Sequence, residues 1–159
     1  LRSSMTCKGK IVENEGIDTI ICAMWVHNES PSIQEDACVA LWSMGFEDDI
    51  TQHSIAEKHG VAAILKGMTY YLNLENIQYH GCGALHTFSS NPSTKENILD
   101  NGGFDVIFGA MREHVHSHAV IEKALGTLVN LAIDESTNSR GTSRLCVFNT
   151  DEIGTIIHA

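Results

Sequence analysis

Apolar residues recur along the chain at the spacing of one face of an α-helix, and this spacing returns three times. The pattern i, i+3, i+4, i+7 is found in three stretches: Ile17, Ile20, Ile21 and Met24; Val61, Ile64, Leu65 and Met68; Phe104, Ile107, Phe108 and Met111. Such spacing places the side chains on one side of a helix. It predicts three helices that each bury one face and occupy equivalent places in a repeated unit.

A second helical pattern follows each of these stretches, and it repeats as well. Residues 34–41 read QEDACVAL and residues 78–85 read QYHGCGAL, which share Gln, Cys, Ala and Leu at a separation of 44 positions. A further shift of 43 aligns Gly83 with Gly126 and Leu85 with Leu128. Helical patterning with a period of about 40 to 47 residues is typical of stacked helical repeats.

Glycine and proline mark the borders of the predicted helices. Gly16, Gly60 and residues 102–103 separate a short leading helix from the next one, where glycine can adopt the backbone conformation of a sharp corner. Pro31 and Pro92 follow polar residues and precede helical patterns. Proline suits the first position of a helix because the N–H it lacks would have no partner there. Each period therefore contains three helices, the third of which is the longest.

The alignment divides the chain into three full copies and part of a fourth, at about residues 8–49, 50–92, 93–140 and 141–159. An isolated copy would bury too little apolar surface to offset the backbone entropy lost on folding, about 1 to 2 kcal/mol per residue. Copies must therefore stack on one another. The sequence predicts one unit over residues 1–159, an all-α solenoid (an α-α superhelix) with a continuous core.

The three longest predicted helices carry the motifs ACVALWSM, GCGALHTF and ALGTLVNL. Together with the short leading helix and the glycine corner, they resemble the armadillo repeat, and LGTLVNLA is similar to the third helix of that repeat. The resemblance covers about residues 8–159. It implies a superhelix whose third helices line a concave groove that binds extended peptides or partner proteins without catalysis.

The resemblance also implies which residues would line that groove. The asparagine position of the family falls on Ser43, Thr87 and Asn130, the position one turn earlier on Val39, Gly83 and Gly126, and the preceding turn on Asp36, His80 and Lys123. An asparagine amide both donates and accepts hydrogen bonds, so it can bind a peptide backbone of any sequence. The tryptophan that nuclear-import adaptors carry one turn earlier is missing at all three positions. Trp42, one place off this array, is interpreted as a half-buried ridge residue.

The charge and the cysteine content indicate which class of partner and which cellular compartment to expect. With 20 acidic and 10 basic residues, the formal net charge is −10, which opposes nucleic-acid binding and favours neutral or basic protein partners. The five cysteines are odd in number and contain no CxxC pair, so neither a disulfide framework nor a zinc site is indicated. Cys38 and Cys82 share one repeat position and are expected to be buried. These features predict a cytoplasmic or nuclear protein that is not secreted and has no membrane span.

Few residues point to other chemistry. The HVHSH stretch at 114–118 is expected to be a solvated loop between a second and a third helix, with a weak metal site as the alternative. The polar stretch 135–143 contains six extra residues, which form either a flexible surface loop or a regulatory or partner-specific insertion. No catalytic or nucleotide-binding motif occurs, so no enzyme, cofactor or metal is expected.

Two functional hypotheses follow. The favoured one is a protein-binding or peptide-binding scaffold, and the alternative is a structural solenoid segment without a separate ligand. Because the chain begins at Leu1 and the last copy is incomplete, uncapped ends are expected to make the isolated chain self-associate.

Overall fold

The computed structural model describes residues 15–133, and this range forms α-helices without any β-strand. Eight helices follow one another: α1 (Gly16–Val26), α2 (Pro31–Gly45), α3 (Asp49–Glu57), α4 (Gly60–Tyr70), α5 (Glu75–Phe88), α6 (Pro92–Asp100), α7 (Gly103–Glu113) and α8 (His118–Ala132). The all-α prediction is confirmed. The predicted leading helix of the first copy, the 135–143 stretch and the fourth copy lie outside the described residues.

The helices recur as a set of three. In copy two (α3, α4, α5) they have 9, 11 and 14 residues, and in copy three (α6, α7, α8) they have 9, 11 and 15. Helices α1 and α2 are the second and third helices of copy one. The third helices α2, α5 and α8 pack side by side in one row, and the second helices α1, α4 and α7 pack in another. The structure is therefore an armadillo-like helical repeat.

One cluster of buried side chains runs through all the described copies. Met24, Met68 and Met111, which end the repeated apolar pattern, are each at most 6% exposed and belong to this cluster together with Leu41 and Leu85. The second and third helices of every copy thus contribute to a shared interior. This continuity is what the repeat pattern predicted, since a single copy has too few apolar residues to form its own core.

The helix starts are as predicted at the prolines, but the corners are one residue earlier than expected in two cases. Pro31 and Pro92 occupy the first turn of α2 and α6. The left-handed backbone conformation belongs to Glu15 and His59, with φ of 57° and 62°, and in copy three to Gly102, with φ of 74°. Gly16 and Gly60 are instead the first residues of their helices.

Gly60 is required for a close approach rather than for a turn. A Cβ atom on this residue would lie 2.5 Å from Ile55 Cγ2 and 2.9 Å from the Ile55 carbonyl oxygen. Gly103 has the same relation to Ile98, whose carbonyl oxygen would be 2.8 Å from such a Cβ. The glycine therefore allows the leading helix to end directly against the start of the second helix, because backbone and β-branched side chains cannot yield to an added atom.

The repeated glutamine is buried and closes the end of the second helix. Gln34 Nε2 donates to the carbonyl oxygens of Met24 at 2.9 Å and His27 at 3.2 Å. Gln78 makes the equivalent pair of bonds at 2.8 and 2.9 Å. Carbonyl groups in the last turn of a helix have no partner within it. The glutamine of the third helix satisfies them, which gives the shared QxxxC frame a structural reason.

Candidate functional site

The predicted groove residues lie in equivalent positions on α2, α5 and α8, and we call the surface that they share the third-helix face. Their exposure differs from copy to copy. Asp36, Val39 and Ser43 of α2 are exposed; His80 and Thr87 of α5 are partly buried and Gly83 is buried; Lys123, Gly126 and Asn130 of α8 are partly buried. On each helix the three positions are three or four residues apart and so share one side. The structure brings all nine residues into one array.

Trp42 links copy one to copy two across this face. Its indole Nε1 donates to Thr87 Oγ1 at 2.9 Å, and a Cβ atom on Gly83 would lie 2.6 Å from its ring. The ring therefore rests where Gly83 has no side chain. Trp42 is half-buried, as its interpretation as a ridge residue requires. Two of the predicted groove residues, Gly83 and Thr87, are thus engaged by the protein itself.

His86 occupies the equivalent place between copies two and three. A Cβ atom on Gly126 would lie 2.8 Å from His86 Nε2, so this ring also rests over a glycine. Asn130 Nδ2 donates to the His86 carbonyl oxygen at 3.2 Å and to Ser89 Oγ at 3.1 Å. Both N–H groups of the Asn130 amide are therefore used within the protein, and its Oδ1 atom accepts no hydrogen bond from the described residues.

An aromatic and charged cluster surrounds Trp42. The ring of Tyr79 meets it edge-on at a centroid distance of 5.9 Å, and the Lys123 ammonium lies 5.9 Å from its centroid. His80 Nε2 lies 3.8 Å from Glu35 Oε1. His80 Nδ1 is buried and has no partner among the described residues. His80 and Lys123 are predicted from the sequence to line this face, and Tyr79 is not. Trp42 is predicted to lie one place off the array. The shift of 44 positions aligns Trp42 with His86, and this was the signal that could have placed both residues on the face.

Burial shifts the pKa values of two cysteine thiols and of one histidine ring. Cys38 and Cys82 are fully buried, and burial raises the pKa of both thiols to about 12. Both thiols are therefore neutral and fill the core, as predicted from their shared repeat position. Burial also lowers the pKa of His86, and the neighbouring Lys123 ammonium acts in the same direction, while Glu122 opposes it. Cys22 is exposed.

The HVHSH stretch connects α7 to α8, which is the place predicted for it. His114 Nε2 lies 2.7 Å from the Leu72 carbonyl oxygen, so this nitrogen must carry the proton and donate. Tyr71 makes the equivalent bond one copy earlier, from its hydroxyl to the Asn28 carbonyl oxygen at 2.9 Å. Within residues 15–133, no group of three His, Cys, Asp or Glu side chains is arranged to hold a metal ion. His114 thus ties adjacent copies together.

One set of side chains superficially resembles a catalytic triad. His53 Nδ1 lies 3.2 Å from Ser93 Oγ, and His53 Nε2 lies 3.3 Å from Glu57 Oε1. The Ser93 hydroxyl, however, donates at 2.9 Å to Asn91 Oδ1, the oxygen that also caps α6 by accepting from the Ser93 backbone N–H. Its proton is therefore directed away from the histidine that would have to accept it. The His53 and Glu57 side chains are 54% and 68% exposed, so nothing there excludes water. The arrangement gives no support to catalysis.

The fold and the row of third helices define an armadillo-like helical repeat. In sequence, the chain is 27% identical over 138 residues to Armadillo repeat-containing protein 6 of Homo sapiens and, to the same degree, to the protein of that name from Pongo abelii. The alignments cover 82% of this chain and 27% of each relative. The chain therefore spans about a quarter of the length of these relatives. No family model matches the chain, and no solved structure matches it.

No helix among residues 15–133 is long and apolar enough to cross a membrane.

Proposed function

We propose that the chain is a non-catalytic scaffold that binds a partner protein, or an extended segment of one, on the third-helix face. The observation that carries the proposal is the Trp42 contact with Gly83 and Thr87, repeated by His86 and Gly126. These contacts fix the third helices relative to one another. A rigid surface binds at a lower entropic cost than a mobile one, because fewer side chains are ordered on association.

The exposed residues on this face have the chemistry of a protein-binding surface. Val39 is 37% exposed, next to the exposed Asp36 and Ser43 and the half-buried Trp42. An aromatic anchor surrounded by small and polar side chains is typical of the centre of an interface. The formal net charge of −10 supports a partner segment that is basic or neutral. Asn130 contributes through Oδ1, which accepts no hydrogen bond from residues 15–133.

The competing function is a structural segment whose third-helix face never meets a separate ligand. The hydroxyl oxygen of Thr87, which accepts from Trp42, and the amide of Asn130, which donates to His86, support it, since both already form bonds between copies. The two functions differ in what substitution of the exposed residues does. If the face binds a partner, a new charge at Val39 and Ser43 blocks association and leaves folding intact. If the third-helix face serves only the fold, the chain captures no partner there, and the same substitutions leave the set of captured proteins unchanged.

The test is affinity capture from a lysate with quantitative mass spectrometry. It compares the wild-type chain with a Val39→Arg/Ser43→Arg variant and with Ile50→Arg, whose residue is 84% exposed on α3, a helix that contributes no residue to the third-helix face. We expect a protein that the wild type and Ile50→Arg retain equally, and that the double variant loses by about 30-fold, equivalent to about 2 kcal/mol for a central contact. Circular dichroism checks that all three chains are equally folded.

Equal capture by all three chains would contradict the proposed face. Absence of any protein above the bead background would favour the structural alternative.

A further inference from the structure

Adjacent third helices pack through two unlike surfaces, which we call the forward face and the backward face. The Trp42 ring of α2 rests over Gly83 of α5, and Thr127 of α8 donates to the Cys82 carbonyl oxygen of α5. The forward face, toward the next copy, is formed by Cys38 and Trp42 on α2, Cys82 and His86 on α5, and Leu125 and Val129 on α8. The backward face, toward the preceding copy, is formed by Val39 and Ala40 on α2, Gly83 and Ala84 on α5, and Gly126 and Thr127 on α8. The forward face of one third helix thus packs against the backward face of the next.

Each face is buried where a neighbouring copy covers it and is open at the two ends of the row. Ala84 and Thr127 on the backward faces of α5 and α8 are fully buried, whereas the equivalent Ala40 on α2 is partly exposed. On the forward face of α8, Leu125 and Val129 are 48% and 58% exposed. Within residues 15–133, no third helix precedes α2 or follows α8. The chain therefore exposes both halves of an interface that it forms twice internally.

The two open faces differ from the internal ones in a way that fits them to each other. Inside the molecule a ring rests over a glycine, and a Cβ atom on Gly83 would lie only 2.6 Å from the Trp42 ring. The equivalent of that glycine on α2 is Val39, whose side chain would clash with a ring at this place. The equivalent of the ring on α8 is Val129, which is smaller. A larger residue on one side and a smaller one on the other keep the volume between two helices nearly constant, which packing tolerates best.

The C-cap residue at the end of each second helix offers a polar contact between copies. The Tyr71 hydroxyl donates to the Asn28 carbonyl oxygen at 2.9 Å, and His114 Nε2 donates to that of Leu72 at 2.7 Å. His27 is the equivalent C-cap of α1, with a φ of −108° compared with −111° and −113° for the other two. Its exposed ring has no acceptor among the described residues. A donor for a preceding copy is thus present at the open end of copy one.

We propose that the partner of these open faces is a second copy of this chain, bound head to tail. The forward face of α8 packs against the backward face of α2 in the next molecule, so that Val129 meets Val39 and Leu125 is covered. His27 of that molecule donates to the carbonyl oxygen of Val115, the residue equivalent to the acceptors in the earlier copies. Because the two faces differ, the contact is heterologous and does not close, so further molecules add in a row. This association is independent of the partner that the third-helix face binds, although Val39 lies at the edge of both surfaces.

The charge of the chain sets the salt dependence of this association. Two molecules with a formal net charge of −10 repel each other, whereas the side chains that meet are mainly apolar. Salt screens the repulsion and leaves the apolar contact intact. We therefore expect the copies to associate more tightly at high salt than at low salt. Weaker association at high salt would show that ion pairs hold the copies together, and it would overturn the proposal.

The test uses two variants of the full 159-residue chain, each of which blocks one face. Leu125→Asp places a carboxylate on the forward face of α8, and Ala40→Glu places one on the backward face of α2. Sedimentation velocity should show that the wild type associates with rising concentration and that each variant alone is monomeric there, its affinity lowered at least about tenfold. Ile50→Asp, at a residue 84% exposed on α3, is the control with the same added charge and should associate like the wild type. A wild type that is monomeric at every concentration would overturn the proposal.

An equimolar mixture of the two variants distinguishes the head-to-tail contact from a symmetric one. Leu125→Asp keeps an intact backward face and Ala40→Glu keeps an intact forward face, so the mixture should form a 1:1 dimer that does not grow. If two α8 helices met each other instead, Ala40→Glu alone would still form dimers, and the proposal would fail. Circular dichroism checks that both variants are folded. Because only the purified chain is used, a negative result leaves the capture experiment on the third-helix face unaffected.

His27→Ala tests the alignment of the two copies without adding a charge. It should weaken association about two- to tenfold, the loss expected for one hydrogen bond. The urea midpoint should stay unchanged, because the ring is exposed and unbonded within the described part of the molecule. Equal association of His27→Ala and the wild type would overturn the proposed alignment.

Discussion

Copy two and copy three have nearly the same helix lengths but different residues at positions that the repeat makes equivalent. The pairs are His59 and Gly102, Gln78 and Ile121, Cys82 and Leu125, and His86 and Val129. Both copies nevertheless place their second and third helices in the same two rows. The shared apolar positions therefore determine where the helices lie, while the remaining positions depend on what each copy packs against.

The clearest difference is the exposure of the outer side of the third helix. Cys82 of α5 is fully buried, and Thr127 of α8 donates to its carbonyl oxygen at 3.3 Å. The equivalent Leu125 of α8 is 48% exposed, and Val129 is 58% exposed. Among the described residues no further helix follows α8 in the row of third helices. The same repeat position is thus part of the core in copy two and part of the surface in copy three.

The largest expected effect on the free energy of unfolding comes from introducing a charged side chain at the equivalent positions 82 and 125. Cys82→Asp should lower the free energy of unfolding by about 4 kcal/mol or more, because a carboxylate without a partner would be buried. Leu125→Asp should change it by less than about 1 kcal/mol, since the side chain can reach water. Urea unfolding followed by circular dichroism measures both values.

A large loss for Leu125→Asp would contradict the difference between the copies, because residue 125 would then have to be covered. Sedimentation velocity at high concentration completes this experiment. The predicted self-association requires an exposed apolar surface, and a wild-type chain that associates while Leu125→Asp is monomeric would place the contact on α8.

A smaller loss of stability is expected when the side chain of the buried Gln78 is removed. Gln78→Ala removes two hydrogen bonds to the end of α4 and leaves the Met68 carbonyl oxygen without its Gln78 partner. We expect a loss of about 3 kcal/mol from the bonds and the cavity together. Ile121→Ala, at the equivalent but only partly buried position of copy three, should cost about 1 to 2 kcal/mol from lost apolar contact alone. Equal losses in the two variants would show that the bonds of Gln78 contribute nothing.

Sequence alone could predict the helices, their order and the continuous core, because these depend on apolar spacing that three copies repeat. The buried role of Cys38 and Cys82 followed from the same alignment. The roles of the two kinds of glycine could not be separated, since a corner at His59 and a close approach at Gly60 leave the same signal in the sequence. A non-glycine residue with positive φ is uncommon and has no reliable pattern.

The positions of the residues on the third-helix face could be predicted from the sequence. Which of their polar atoms are already used in hydrogen bonds within the protein could not. Alignment places Asn130 and Thr87 correctly on the third helices. That the indole of Trp42 bonds to Thr87, and that the Asn130 amide donates to His86 and Ser89, depends on distances between copies.

The smallest expected effect concerns His86, whose equivalent in copy three is Val129. Burial, together with the nearby Lys123, lowers the pKa of the His86 imidazole below its ordinary value of 6.5. As the pH falls below about 6.5, the unfolded chain takes up this proton more readily than the folded chain. The free energy of unfolding should therefore decrease with falling pH, in a window that begins near the ordinary pKa and ends near the lowered one. Urea midpoints measured between pH 7.5 and 5 should decline less steeply for His86→Gln than for the wild type.

Val129→His places an imidazole at the exposed equivalent position, where burial is absent, so it should not steepen the decline. An unchanged slope in His86→Gln would mean that the ring is not shielded by its contact with Gly126.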